Sequence, residues 1–197
     1  FNGIVMMHSN DNTLVENQVH DNAFGMSLEY VEYVVISTNE INNNTQDGLR
    51  LVRCDGSKIW DNEISKNQVD GIRMVRSEHT IVSSNDIEDN GEYGVQVLDK
   101  SNLNHFMFNV VRNSGLGGTY LYEGEMNLFS SNAFIENQNF NVRDNGGNKW
   151  MGNFYSDYSG EDLDRNMIGD DPYLIIGHRG AISMDMNPFI HSRWVAG

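Results

Sequence analysis

The sequence predicts an all-β protein, a right-handed parallel β-helix of about six to seven coils closed by an irregular, aromatic-rich C-terminal cap. Three observations predict it: a glycine that recurs at near-constant spacing, apolar columns that alternate within each repeat, and columns of asparagine between them. The glycines are Gly3, Gly25, Gly48, Gly71, Gly94 and Gly118, in steps of 22, 23, 23, 23 and 24 residues.

Each strand of a coil is justified by a column. The positions one and three after each glycine read Ile4/Met6, Met26/Leu28, Leu49/Leu51, Ile72/Met74, Val95/Val97 and Thr119/Leu121. Eleven after stand Leu14, Ile36, Ile59, Val82, His105 and Phe129, with His105 the one break. Sixteen after stand Val19, Ile41, Ile64, Ile87, Val110 and Phe134. Alternation within these segments is the period of a strand, and no segment carries the helical period of a leucine-rich horseshoe.

The corners follow from asparagine. Nineteen positions after each glycine come Asn22, Asn44, Asn67, Asn90, Asn113 and Asn137, and fourteen after come Asn17, Asn39, Asn62, Asn85, Phe108 and Asn132. Asparagine tolerates the left-handed conformation of a sharp corner, and its amide can bond the amide one coil above. Coils stacked ~4.8 Å apart make a rod of about 30 Å. The two prolines, both after residue 170, leave parallel pairing uninterrupted.

The 197 residues suit one domain, and net charge -15 disfavours nucleic acid or an anionic membrane as partner. No apolar run is long enough to span a bilayer. Cys54 stands alone, so no internal disulfide forms. The periodicity ends near residue 140, dividing the chain into coils over 1–140 and a last coil plus cap over 141–197. Trp150, Phe154, Tyr155, Tyr158 and Tyr173 crowd this last part, as residues covering an open solenoid end would.

NKWMGNFYSDYSGED, followed by IGDDPYLI and MDMNPF, resembles the closing segment of NosD-like, CASH-type (carbohydrate-binding and sugar hydrolase) right-handed β-helix proteins. The Asn-rich repeats over 1–140 are similar to that family's coils, so the resemblance covers essentially the whole chain. Trp150-Met151 replaces the family's tryptophan-serine pair, with an insertion before Tyr155. The resemblance implies a secreted, periplasmic or cell-surface location and a polysaccharide partner. It does not choose among the family's lyases, C5-epimerases, surface modules and copper-enzyme maturation protein, because a shared fold does not fix the chemistry.

Two constellations are candidate sites. Asp162, Asp164, Asn166 and Asp170 place side-chain oxygens at alternating positions in one loop, a pattern that suits structural calcium or an acidic turn capped by its own aspartates. The second is a basic stack: Arg50 and Arg73 stand two after their glycines and Arg53 and Arg76 five after, in an otherwise acidic chain. Arginine forks pair with a sugar carboxylate or sulfate, and Tyr30, Tyr120 and Tyr122 can stack on sugar faces. Arg50, Arg73, Tyr120 and Tyr122 are therefore candidate substrate-binding residues.

For a lyase or C5-epimerase on uronic-acid chains, Arg53 or Arg76 would neutralise the carboxylate, with His79 and Tyr30 as base and acid. A glycoside hydrolase would need two carboxylates facing one bond, such as Asp55 with Glu78. The rival is a structural or adhesive module in which the arginines are tied to Asp55, Glu78 and Asp99. Copper is disfavoured, because Met6, Met26 and Met74 fall in inward columns where methionine fills core space. The first repeat, opening directly in coil phrase, is expected to stack on an upstream segment or an end-to-end partner.

Overall fold

The computed structural model describes residues 1–192, leaving the last five residues of the 141–197 unit outside the described residues. It is a solenoid of seven coils whose strands form three parallel sheets. Sheet A comprises Ile4–Met7, Met26–Glu29, Leu49–Val52, Ile72–Val75, Tyr93–Leu98, Gly117–Tyr122 and Val142–Asp144. Sheet B comprises Thr13–Val15, Val35–Ser37, Lys58–Trp60, Ile81–Ser83, His105–Met107, Leu128–Ser130 and Lys149–Met151. Sheet C comprises Gln18–His20, Glu40–Asn42, Glu63–Ser65, Asp86–Glu88, Val110–Arg112, Ala133–Ile135 and Phe154–Tyr155.

The core is three inward stacks with the apolar ladders that the periodicity predicts. It grows aromatic toward the C-terminal end: Phe106, Phe129 and Trp150 stack with centroids 4.4 and 4.2 Å apart, and Phe134 lies 5.5 Å from Tyr155. An antiparallel hairpin, Tyr173–Ile176 with Ile182–Asp185, then joins the edge of sheet B. Tyr173 stacks on Tyr155 at 3.7 Å, and Ile175 is fully buried, so the hairpin seals the last coil.

The 24-residue coil corrects four assignments. Its extra residue is absorbed at Asp99 and Lys100, both with positive φ, and every later position in the coil moves by one. Phe106 takes the inward place expected of His105, and Val111 that of Val110. Asn109 takes the ladder place expected of Phe108, making that ladder unbroken, whereas Ser114 takes the place expected of Asn113 and interrupts the other. His105 faces outward, half-buried, with Nε2 3.1 Å from Ser130 Oγ.

The asparagines also work differently from expectation. The left-handed residue is the one before the ladder asparagine, Thr38, Asp61, Ser84, Phe108 and Ser131 in successive coils. The asparagine itself faces inward and is buried. Asn39 donates its backbone N–H and Nδ2 to Asn62 Oδ1 at 3.0 and 2.9 Å, and the pattern repeats through Asn85, Asn109, Asn132 and Asn153. Non-glycine residues at positive φ cost roughly 1 kcal/mol each, which these buried bonds offset. The glycine column has a spatial cause: a Cβ on Gly71 would lie 2.6 Å from Gly94 O and 2.9 Å from Asn90 Nδ2.

Sheet B turns two columns outward in a checkerboard. In alternate coils the first column is polar (Thr13, Lys58, His105, Lys149) and the second large and apolar (Val15, Trp60, Met107, Met151). In the coils between, the first is apolar (Val35, Ile81, Leu128) and the second is serine (Ser37, Ser83, Ser130). Sheet C instead faces outward with Glu40, Glu63, Asp86 and Glu88, the last two bound by Arg112 at 2.9 and 2.7 Å.

Removing one ladder amide leaves two buried donors without an acceptor. Asn62→Ala is expected to cost about 3 kcal/mol and the exposed Gln68→Ala under ~0.5, measured by urea denaturation. Equal effects would show that the ladder contributes nothing particular.

Candidate functional site

The outward face of sheet A gathers the most chemistry. The register places Ser27, Arg50, Arg73, Gln96, Tyr120 and Arg143 in one axial column. They sit together because each stands at an even position of its strand, the second in four of them and the fourth in the longer strands of Gln96 and Tyr120, where the pleat points outward. Arg50 and Arg73 are therefore direct neighbours of like charge, one coil apart. Asp47 and Asp70, on the edge just before the strands, offset that repulsion.

Both carboxylates are buried, and the backbone holds them in place. Asp47 Oδ1 accepts the Asp70 N–H at 3.3 Å, and Asp70 Oδ1 accepts the Tyr93 N–H at 3.1 Å. Asp70 Oδ2 meets Arg73 Nη1 at 3.4 Å. Burial, aided by the Asp47 charge, pushes the Asp70 carboxyl up to about 7 against the pull of the Tyr93 amide and Arg73. Burial also raises Asp47, with Arg73 and Arg50 opposing.

Aromatic rings line the upper half of the face. Tyr93 stacks on Tyr120 at 5.2 Å, Tyr122 stands 6.5 Å from Tyr120, and the Arg143 guanidinium lies 4.3 Å over Phe140. Lower down, Arg50 lies 5.5 Å over Phe24. Between the arginine and tyrosine halves, Gln96 is buried and its Oε1 has no hydrogen-bond partner among the described residues. The face thus offers planar cations and ring faces along one line.

The sequence-predicted residues divide between this face and its edges. Arg50, Arg73, Tyr120 and Tyr122 are on it. Tyr30, Arg53 and Arg76 stand one column beyond its strands, each in a left-handed corner. There Arg53 lies 5.0 Å over the Tyr30 ring, bonds the Tyr30 hydroxyl, and His8 stacks beneath at 4.8 Å. Arg76 borders a small open cavity of about 250 Å³ with Asp99, Lys100 and Glu123. His79 is in the next corner, exposed; among the described residues no hydrogen bond or ring contact joins it to Tyr30, Arg53 or Arg76. Sequence reasoning missed Asp47, Asp70, Gln96, Tyr93 and Arg143. A signal for the acids existed, because Asp47 and Asp70 both directly precede column glycines.

The 162–170 loop closes on its own backbone. Asp162 accepts the N–H groups of Asn166 and Met167, Asp164 that of Asn166, and Asp170 that of Leu163, at 2.7 to 3.1 Å. Among the described residues no three His, Cys, Asp or Glu side chains are disposed to hold a metal ion. A carboxylate that accepts an amide keeps further lone pairs for an ion, so the thermal midpoint measured with and without calcium tests the expected site. A rise of several degrees, lost in Asp162→Asn, would give the loop to the ion.

Asp70 also makes a signed prediction for stability. Its folded pKa is raised, so between about 4 and 7 the native state holds a proton that the unfolded chain lacks. Its contribution is present at low pH and is lost as pH rises through about 7. Asp70→Asn should flatten that fall in denaturation midpoint across this window; an unchanged slope would show that Asp70 ionises normally.

No curated protein matches the sequence at a significant level. Several solved structures share the fold. The periplasmic alginate epimerase AlgG superposes with a TM-score of 0.63 at 18% identity, over 83% of this chain and 38% of that one. A double mutant of AlgG gives 0.64 at 20%, over 84% and 38%. The chain therefore spans well under half of AlgG's length, and at such identity the likeness is one of fold. Residues 1–115 match the family described as periplasmic copper-binding protein (NosD), and this chain belongs to that family of parallel β-helix proteins.

Proposed function

We propose that this chain is a periplasmic or secreted β-helix domain that binds an extended anionic polysaccharide along the outward face of sheet A. The observation that carries the reading is the axial column of Arg50, Arg73 and Arg143 interleaved with aromatic rings. Guanidinium forks at coil spacing suit carboxylates repeated along a glycan, and Tyr93, Tyr120 and Phe140 offer ring faces to its sugars. Support comes from AlgG, an alginate epimerase built on this same framework, and from the periplasmic descriptions of AlgG and of the NosD family.

The arginines on the face and at its edge are held by neighbours: Arg73 by Asp70, Arg50 by Phe24 and Arg53 by Tyr30. That arrangement favours binding over a convergent His79, Tyr30 and arginine centre. A second reading has one specific observation behind it: Asp70, a carboxyl poised near neutral pH beside an arginine. On a bound uronate, Arg73 would neutralise the sugar carboxylate and Asp70, turned outward from its buried place, would take the C5 proton, with the C4 glycosidic oxygen leaving in elimination or a proton returned to the opposite ring face in epimerisation. Unsaturated uronate ends seen by ultraviolet absorbance, or deuterium exchange at C5 by NMR, would establish it.

The family description names copper, and the soft donors of the inward columns are out of an ion's reach. The thioethers of Met26 and Met74 are sealed in the core, and His8 is stacked on Tyr30. Cys54 is buried, with its thiol pushed up to about 11 by desolvation.

The test is calorimetric titration of alginate oligosaccharides against a neutral glucan control. Arg73→Ala and Arg143→Ala are each expected to weaken binding about tenfold, the loss of one charge-assisted contact. Affinity should also rise as pH falls through about 7, because protonating Asp70 leaves the face more positive, and Asp70→Asn should remove that dependence. Equal affinity for neutral and anionic chains would sink the proposal.

A further inference from the structure

The outward face of sheet B lacks the arginine row of sheet A, yet it is organised along the full length of the solenoid. Sheet A presents Glu29 at its outer surface, with Asp47 and Asp70 sunk at its edge, and sheet C presents Glu40, Glu63 and Asp86. The two outward columns of sheet B contain no Asp or Glu at all, in a chain of net charge -15. Two copies can therefore approach through sheet B without bringing those carboxylates together.

The face is also apolar and open. Trp60 is 41% exposed and Ile81 39%, and in the neighbouring corner Met126 is 60% exposed. Such residues in a continuous strip mark an interaction surface rather than scattered surface hydrophobes. Seven strands at ~4.8 Å give a height of roughly 30 Å, and with its corners the strip offers roughly 600 Å². That approaches the ~800 Å² per partner of a standard protein interface.

The checkerboard selects the occupant. A two-fold axis parallel to the solenoid, lying in the plane of contact, exchanges the two outward columns while keeping each coil level with its counterpart. Val35, Ile81 and Leu128 of one copy then lie over Ser37, Ser83 and Ser130 of the partner subunit, of which Ser37 is already buried beneath its own neighbours. In the intervening coils Lys58 meets the Trp60 ring of the partner subunit, where a cation is attracted to the aromatic face. Large meets small at each even coil, and the contact is self-complementary, as an isologous dimer requires.

We infer that the outward face of sheet B is the interface of a side-by-side homodimer of parallel solenoids. In that dimer the sheet A faces stay open, so polysaccharide binding and dimerisation are independent.

Sedimentation equilibrium over a wide concentration range tests this. The wild-type chain should reach twice 22.4 kDa. Ile81→Asp should remain at 22.4 kDa with unchanged circular dichroism and unchanged alginate affinity, its association weakened about a hundredfold by a buried unpaired charge. Should Ile81→Asp fold poorly, Ser83→Arg probes the same contact from the opposing column. A wild-type mass of 22.4 kDa throughout would overturn the inference, as would a dimer that survives both substitutions. A monomer that binds phosphatidylcholine vesicles through Trp60 would also overturn it and assign the face to lipid.

Discussion

The rest of the structure depends on one repeated hydrogen bond, the amide of a buried asparagine accepting from the coil before it and donating to the coil after. Each Oδ1 takes two donors, a backbone N–H and an Nδ2, and so fixes the register of two coils at once. Buried donors without partners are costly, so a slip of one residue would forfeit the whole column. The bond also has a direction. Donors point toward the C-terminal end, and the last asparagine of each ladder needs an acceptor.

The cap supplies that acceptor as a carboxylate at every corner, because a carboxylate accepts without donating. Asp185, fully buried, takes both donors of Asn153, together with the Tyr155 hydroxyl and the N–H groups of Gly152 and Asn187. Asp144, equally buried, takes Asn148, the Trp150 indole, Ser183 and Gly146. Asp157 takes Asn141 at the third corner. The irregular C-terminal segment is thus both an apolar lid and the electrostatic end of three ladders.

Register fixed in this way turns spacing along the chain into chemistry along the axis. Sheet A becomes a line of guanidinium groups and rings with two sunken carboxylates, sheet B an acid-free checkerboard, and sheet C an acidic face partly neutralised by Arg112. The three faces share one core and differ only in what stands on the outward half of each strand. A solenoid can therefore vary its outer chemistry without disturbing the ladders, which is why similarity of fold to AlgG leaves the reaction open.

The sequence by itself determined the solenoid, its three strands per coil and most of the inward columns, because stacking identical side chains demands a repeat visible as spacing. It did not locate the extra residue of the coil from Gly94 to Gly118, since only the turn at Asp99 and Lys100 shows which corner absorbs it; Phe106, Asn109 and Val111 were thereby displaced by one place. It assigned left-handed corners to the asparagines, whereas Thr38 and Phe108 hold them and the asparagines turn inward. The arginine row was legible in Arg50 and Arg73. The Asp47 and Asp70 pair was not, because its chemistry arises from burial and from proximity across coils, which only the tertiary structure decides.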